Sequence, residues 1–209
     1  MATIPLATFV ETVGYASLKD HVLAVCSPNK EILEAFLDMA VEGAYCEGSN
    51  SVCNTDVLLL LINWLPSLSF DLQRWLGGCM SGTCVYGPHN QMLCCRAGMI
   101  AAVLDVLATG QKIDKQASEY LITLLETLAN HSVTSFDLKK LISLFRPTGD
   151  GCLLYYTPKL LEMMERLSLS DGRHAPKEYF DLHHPSAVRP KDFFITFTGT
   201  VLAWLLPDP

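Results

Sequence analysis

The residues of this chain that could carry chemistry are mainly its cysteines and histidines, of which there are eight and six. Cys79 and Cys84, the adjacent pair Cys94 and Cys95, and His89 between them could supply ligands to a zinc ion. A structural zinc site usually shows a CxxC-type pair and a matching second pair. Neither spacing occurs here, so we expect these thiols to be buried and reduced. A zinc-stabilised adaptor remains an alternative.

Cysteine is also a nucleophile when the fold brings a histidine beside it. Cys46, Cys53 and Cys84 lie in or beside predicted loops that would allow this arrangement, but no local motif identifies one of them. A small cysteine-nucleophile hydrolase is therefore the second alternative. The sequence favours a protein that is not an enzyme, with no catalytic residue, no cofactor and no metal.

The elements that position these residues are helices, because one apolar pattern recurs between Ile100 and Leu167. Apolar residues spaced i, i+3, i+4 and i+7 lie on one face of a helix. The four apolar stripes are Ile100, Val103, Leu104 and Leu107; Leu121, Leu124, Leu125 and Leu128; Leu138, Leu141, Ile142 and Phe145; and Leu160, Met163, Met164 and Leu167. Each stripe needs a neighbouring helix to cover it, which predicts a bundle or an α-solenoid.

Capping residues and helix breakers stand where these helices should begin and end. Thr134 with Asp137 resembles a capping box, and Thr157 before Pro158 is typical of a helix start. Gly110 is expected to close another helix. The caps therefore agree with the periodicity of the apolar residues.

The first half of the chain also contains helical patterns, in Lys30–Tyr45 and in the very apolar segment Asn54–Leu65, which Asn54 is expected to cap. The segment Leu68–Leu76 predicts a short amphipathic helix, which Gly77 and Gly78 should end. Loops are predicted at Gly43–Cys53 and Ser81–Asn90.

Composition and charge narrow the class of protein. Hydrophobic residues make up 50% of the chain and charged residues 18%, which predicts a folded chain. The net charge of −7 and the isoelectric point near 5.3 argue against nucleic acid as a partner. No secretory signal is visible, and the uncharged apolar runs are shorter than the roughly 20 residues that span a bilayer. We therefore expect a cytoplasmic protein with reduced cysteines and no transmembrane anchor.

The helical pattern stops after Leu169. Residues 170–192 contain prolines and histidines without an apolar stripe and predict a linker. In the last segment Phe193, Ile195 and Phe197 alternate with their neighbours in a pattern typical of a β-strand. A lone strand is not stable by itself, so we expect it to be an orphan strand. Four aromatic residues here are candidate protein contacts: Tyr179, Phe180, Phe193 and Phe194.

Three helical segments are distinctive: Cys94–Ile100, which is expected to open a helix after a polar loop, Leu121–Leu128, and Val133–Arg146. Together they resemble the region upstream of the BEACH module in BEACH-domain scaffold proteins of the neurobeachin-like kind. The last, VTSFDLKKLISLFR, is the most specific. In that family an aromatic strand of the form FxFxG follows such helices. Here residues 195–199 read ITFTG, with isoleucine in place of the first aromatic residue.

The resemblance implies an all-α, armadillo-like helical array (α-solenoid) at residues 1–169, a linker at 170–192, and the start of a truncated concanavalin A-like β-domain at 193–209. It also implies that the chain is a non-catalytic protein–protein interaction scaffold, linked to vesicle and membrane trafficking. Because the chain ends at Pro209, before the PH-like, BEACH and WD40 modules of that family, we expect a fragment or truncated isoform. Peripheral membrane association would then come through the full-length protein.

The composition of the terminal segment gives a prediction about solubility. Residues 193–206 have strand-forming side chains without charge or proline, which is typical of an aggregation-prone edge. Removing residues 191–209 should therefore raise solubility and leave the melting temperature of the helical domain nearly unchanged, as measured by sedimentation and thermal unfolding. A marked fall in melting temperature without a gain in solubility would show that the segment packs onto the helices.

Overall fold

A computed structural model describes residues 14–48, 51–146 and 153–169, and all regular secondary structure in these ranges is helical. The chain divides into two compact units, Met1–Leu160 and Leu161–Pro209, and of the second only the end of the last helix is described. The described helices are α1 Gly14–Val25, α2 Lys30–Val41, α3 Thr55–Trp64, α4 Phe70–Val85, α5 Gly87–Arg96, α6 Met99–Ala108, α7 Lys115–His131, α8 Ser135–Ser143 and α9 Thr157–Leu169. The expected linker and strand lie outside the described residues.

The apolar stripes predicted from the sequence form the core. Every residue of the stripes on α6 and α7 is buried. On α8 Leu141 is buried and the other stripe residues are half-buried. The stripe on α7 packs against α4, α5 and α6, whereas α3 packs against α1, α2 and α6. The first unit therefore has one continuous helical core, and the prediction of a helical array is confirmed.

The helix starts follow the predicted capping residues. The Asn54 side chain accepts hydrogen bonds from the backbone of Asp56 and Val57 at the start of α3. Thr134 and Asp137 form a reciprocal capping box at the start of α8. After α6 the chain turns through Gly110 at a φ of 64°. Such caps satisfy backbone N–H groups that the first turn of a helix leaves without partners.

The expectation that Gly77 and Gly78 end a short helix is wrong. Helix α4 continues through both glycines to Val85. A glycine inside a helix costs about 1 kcal/mol relative to alanine, whereas one buried leucine gains about 1.5–3 kcal/mol. Helix α4 buries Leu76 and Met80 beside these glycines, so packing outweighs the local preference.

The predicted loop at Ser81–Asn90 and the predicted helix start at Cys94 are also wrong. Helices α4 and α5 meet at Tyr86, and Gly87 begins α5 with a φ of 75°. Cys94 and Cys95 therefore lie near the end of α5. Helix α5 ends after them, and Gly98 adopts a φ of 82° before α6 begins. Glycine and proline here mark a tight junction between two helices, whereas the sequence pattern predicted a loop.

A buried amide joins the connection before α3 to the junction of α4 and α5. Asn90 is 2% exposed. Its Oδ1 accepts a hydrogen bond from the Val52 backbone at 2.9 Å, and its Nδ2 donates to the Thr83 carbonyl at 2.8 Å. Both ends of the amide are thus used, as burial of a polar side chain requires.

None of the described helices is by itself long and apolar enough to span a bilayer. Helices α5 and α6 reach that length and composition only as a pair, bent by 69°.

Two glycines allow a matched test of the backbone assignment. A Cβ atom added at Gly82 or at Gly98 would meet nothing within 4 Å, but only Gly98 has a positive φ. Gly82→Ala should stabilise the protein by about 0.5–1 kcal/mol, because α4 gains helix propensity. Gly98→Ala should destabilise it by about 1–2 kcal/mol, because alanine is strained in the left-handed region. Urea unfolding measures both, and equal effects would contradict the junction at Gly98.

Candidate protein-interaction surface

The cysteines proposed as zinc ligands lie on two neighbouring helices. Cys79, Cys84 and Cys94 are buried, and Cys95 is half-buried. Among the residues that the structure describes, no group of three or more histidines, cysteines and acids is placed to hold a metal ion. The structure therefore gives no support to the zinc-stabilised adaptor.

The three candidate nucleophiles have different surroundings. Cys46 and Cys53 are exposed, whereas Cys84 is fully buried. A hydrogen bond with Cys94, together with burial, raises the pKa of the Cys84 thiol well above its usual value. Because the thiolate is the nucleophile, a raised pKa opposes such a role. Cys84 is therefore unsuited to catalysis by itself.

An open groove of about 480 Å³ lies in the first unit, where α4 begins and where the chain enters α7 and α9. Its lining consists of Phe70, Ile113, Asp114, Lys115 and Tyr155. Phe70 is 57% exposed and Tyr155 is 47% exposed. Two large aromatic side chains thus lie partly in solvent at one place, next to one acid and one base.

The Tyr155 ring is held in place by its hydroxyl. This hydroxyl is 3.0 Å from Ser118 Oγ and 3.2 Å from the Ile113 carbonyl. The next residue, Tyr156, is buried, and its hydroxyl donates to the Leu107 carbonyl. The two tyrosine rings meet edge to face, with centroids 5.1 Å apart. The groove therefore has a fixed aromatic wall, which reduces the entropy lost on binding.

A second buried amide holds the backbone that precedes α7 and lines the groove. Gln73 is 1% exposed. Its Nε2 donates to the carbonyls of Leu68 and Lys112 at 3.0 and 2.9 Å, and its Oε1 accepts from the Asp114 backbone at 2.8 Å. Two of these hydrogen bonds, to Lys112 and Asp114, thus tie the start of α4 to the connection that precedes α7. The third is local, to Leu68 just before α4. The rim of the groove is held by polar contacts that are hidden from solvent.

The charges at the groove are partly engaged. The Asp114 carboxylate caps α7 by accepting from the backbone of Gln116 and Ala117. Arg74 forms an ion pair with Asp71 and lies 3.8 Å from Asp114. The Asp71 side chain is 89% exposed, so its carboxylate is accessible to solvent even though Arg74 pairs with one of its oxygens.

The four aromatic residues proposed as contacts from the sequence, Tyr179, Phe180, Phe193 and Phe194, lie outside the described residues. Sequence reasoning missed Phe70 and Tyr155. Phe70 is the first residue of α4, where a side chain has fewer helical neighbours to cover it. Tyr155 belongs to a Tyr-Tyr pair directly before Thr157, and only one of the two rings is buried. The sequence signal that could have indicated these two residues is the presence of an aromatic side chain at or just before a predicted helix start.

The described residues form an all-helical array, and their surface includes the aromatic groove. The chain belongs to the neurobeachin family, because the family model described as the neurobeachin alpha solenoid region matches residues 7–167. The resemblance to BEACH-domain scaffold proteins is thereby confirmed.

A curated relative supports the same family. The chain is 28% identical over 173 residues to BEACH domain-containing protein B of Arabidopsis thaliana, a match that covers 81% of this chain. The chain spans 6% of the length of that relative. No solved structure matches the chain.

The role assigned to Gln73 can be tested against another glutamine. Gln73→Leu should destabilise the protein by about 1–3 kcal/mol, because partners of the amide are left without hydrogen bonds in a buried place. Gln91 is a suitable control, since its amide donates only to the Val85 carbonyl among the contacts described. Urea unfolding should show a smaller loss for Gln91→Leu. A loss at Gln91 equal to that at Gln73 would contradict the special role of the Gln73 amide.

Proposed function

We propose that this chain is a non-catalytic protein-binding region of a BEACH-family scaffold, and that the groove at Phe70 and Tyr155 takes a segment of a partner protein. The observation that carries the proposal is the exposure of two aromatic side chains on walls that hydrogen bonds hold in place. Exposed aromatic residues in a pre-organised groove are typical of binding hot spots.

The dimensions and charges of the groove indicate the kind of partner. The groove is shallow and open to solvent, and its volume of about 480 Å³ accommodates a few side chains of a peptide segment. The exposed Asp71 carboxylate beside Phe70, and the net charge of −7 over the chain, favour a basic partner. We therefore expect an extended segment with an apolar or aromatic side chain next to lysine or arginine.

The wider setting of this function is also a proposal. The motifs of this chain resemble those of BEACH-domain scaffold proteins, and that resemblance implies a link to vesicle and membrane trafficking. We propose that this chain acts in trafficking in the cytoplasm. Its contact with membranes would be peripheral and would depend on other parts of a longer protein. Cell fractionation tests this part: chain that stays in the membrane pellet after carbonate extraction, in the absence of other domains, would contradict it.

A peptide-display library panned against the purified chain tests the groove. Peptides with an apolar side chain next to lysine or arginine should be enriched. Their affinity should fall about tenfold, or ~1.4 kcal/mol, for Phe70→Ala, because the ring forms part of the binding surface. Affinity should also weaken with added salt.

Phe136→Ala is the matched control. Phe136 is 60% exposed, like Phe70, but lies on α8 beneath Lys140, whose Nζ is 5.2 Å from the ring centroid. The control should bind the selected peptides as the unaltered chain does. Peptides of no common pattern, or equal binding by all three proteins, would overturn the groove as the site.

A further inference from the structure

Two short stretches near the end of the chain have the chemistry that we expect the groove to select. Residues 176–180 read PKEYF and residues 190–194 read PKDFF. In each stretch a proline and a lysine come before an acid and two adjacent aromatic residues. These four aromatic residues are the ones predicted from the sequence as protein contacts, and they lie outside the described residues. The chain therefore contains two candidate ligands for a groove of this kind.

The two stretches differ in charge once their neighbours are included. With two flanking residues on each side they read HAPKEYFDL at 174–182, the acidic stretch, and VRPKDFFIT at 188–196, the basic stretch. The basic stretch has two basic residues and one acid, whereas the acidic stretch has one basic residue and two acids. The difference comes from Arg189 and Asp181, which stand where the other stretch has alanine and isoleucine. The basic stretch is therefore the better match to a groove that is expected to attract a basic partner.

The groove offers complementary groups to the basic stretch. Phe70 is 57% exposed and Tyr155 is 47% exposed, and aromatic rings pack well against other aromatic rings. The Asp71 side chain is 89% exposed, although Arg74 pairs with one of its oxygens. Lys115 lines the groove and is exposed, which suits the single acid of the basic stretch. Aromatic, acidic and basic groups are thus present on both sides of the contact.

We propose that the groove of one chain binds the basic stretch of a second copy, with Phe193 and Phe194 against Phe70 and Tyr155. The proposal rests on the function proposed for the groove and names one partner for it. A second copy is the source, because the terminal residues are expected to add nothing to the melting temperature of the helices in their own chain. Each copy has one groove and one basic stretch, so the contact is head-to-tail and extends from chain to chain. A foreign partner then has to displace this stretch from the groove.

This contact assigns a specific cause to the low solubility expected of the terminal residues. An aggregation-prone strand associates through its own exposed edge, whereas the head-to-tail contact also requires the groove. Phe70→Ala should therefore reduce self-association as much as a substitution within the basic stretch does. The two causes predict different outcomes for this one change on α4.

The first experiment measures the binding of fluorescein-labelled peptides of the two stretches by fluorescence anisotropy. The protein is the full chain with Phe193→Ala and Phe194→Ala, so that its own basic stretch does not compete. At low salt the basic peptide should bind about tenfold more tightly than the acidic peptide. A basic peptide with Arg189→Ala and Ile195→Asp has the charges of the acidic peptide and should bind as weakly.

The second experiment follows the full chain by sedimentation velocity at rising concentration. The unaltered chain should associate, and Phe70→Ala or the double substitution Phe193→Ala and Phe194→Ala should each leave a monomer. A mixture of these two variants has one intact groove and one intact basic stretch, so it should form a one-to-one dimer and nothing larger. Phe136→Ala, the control, should associate as the unaltered chain does. Thermal unfolding verifies that each variant is folded.

Self-association that survives Phe70→Ala, equal binding of the two peptides, or a mixture that stays monomeric would each overturn the proposal. If Phe70→Ala fails to fold, the peptide comparison still decides. A mixture without a dimer, although the added basic peptide binds, would show that the stretch does not act between copies. Failure of the proposed function is a separate result. If the self-contact alone is wrong, peptides selected from the library still bind and still depend on Phe70.

Discussion

The packing of α4 against α7 is the contact on which the rest of the described structure depends. Helix α7 directs its leucine stripe into the core, and α4 approaches it closely because Gly77 and Gly78 lie beneath the Tyr120 ring. A Cβ atom at Gly77 would already be in contact with Ala117 and Tyr120 at 3.6 Å. This helix pair sets the positions of Phe70 at one end of α4 and of Cys84 at the other. The position of the groove thus depends on this helix pair.

Much of the fold could be predicted from the sequence because its helices carry regular stripes. Leu121 and Leu125 on α7 are buried as their spacing requires, and the Thr134 cap is where its residue type indicates. The errors fall on α4 and α5, where Gly77 and Gly78 suggested a helix end. Those glycines reflect a local backbone preference of about 1 kcal/mol. The outcome was decided by burial against a helix some forty residues away, which no short window of sequence reports.

The groove could not be predicted for a related reason. Its walls come from the start of α4, the connection before α7 and the segment before α9, which are distant in sequence. Gln73 looks like a solvated residue on an amphipathic helix, yet it is buried by partners at Leu68, Lys112 and Asp114. Hydrogen bonds between distant backbone groups leave no periodic pattern. The sequence shows aromatic residues at the helix starts, but it does not show that they lie together in one groove.

The two buried amides have a consequence for the lengths of the connections between helices. Asn90 binds the backbone at Val52, and Gln73 binds the backbone at Lys112 and Asp114. An inserted residue in either connection would move these backbone groups by about 3.5 Å, beyond the reach of a hydrogen bond. The lengths of these two connections should therefore vary little among related proteins. The turn between His131 and Thr134, which neither amide holds, is the better place for a genetic insertion or an epitope tag.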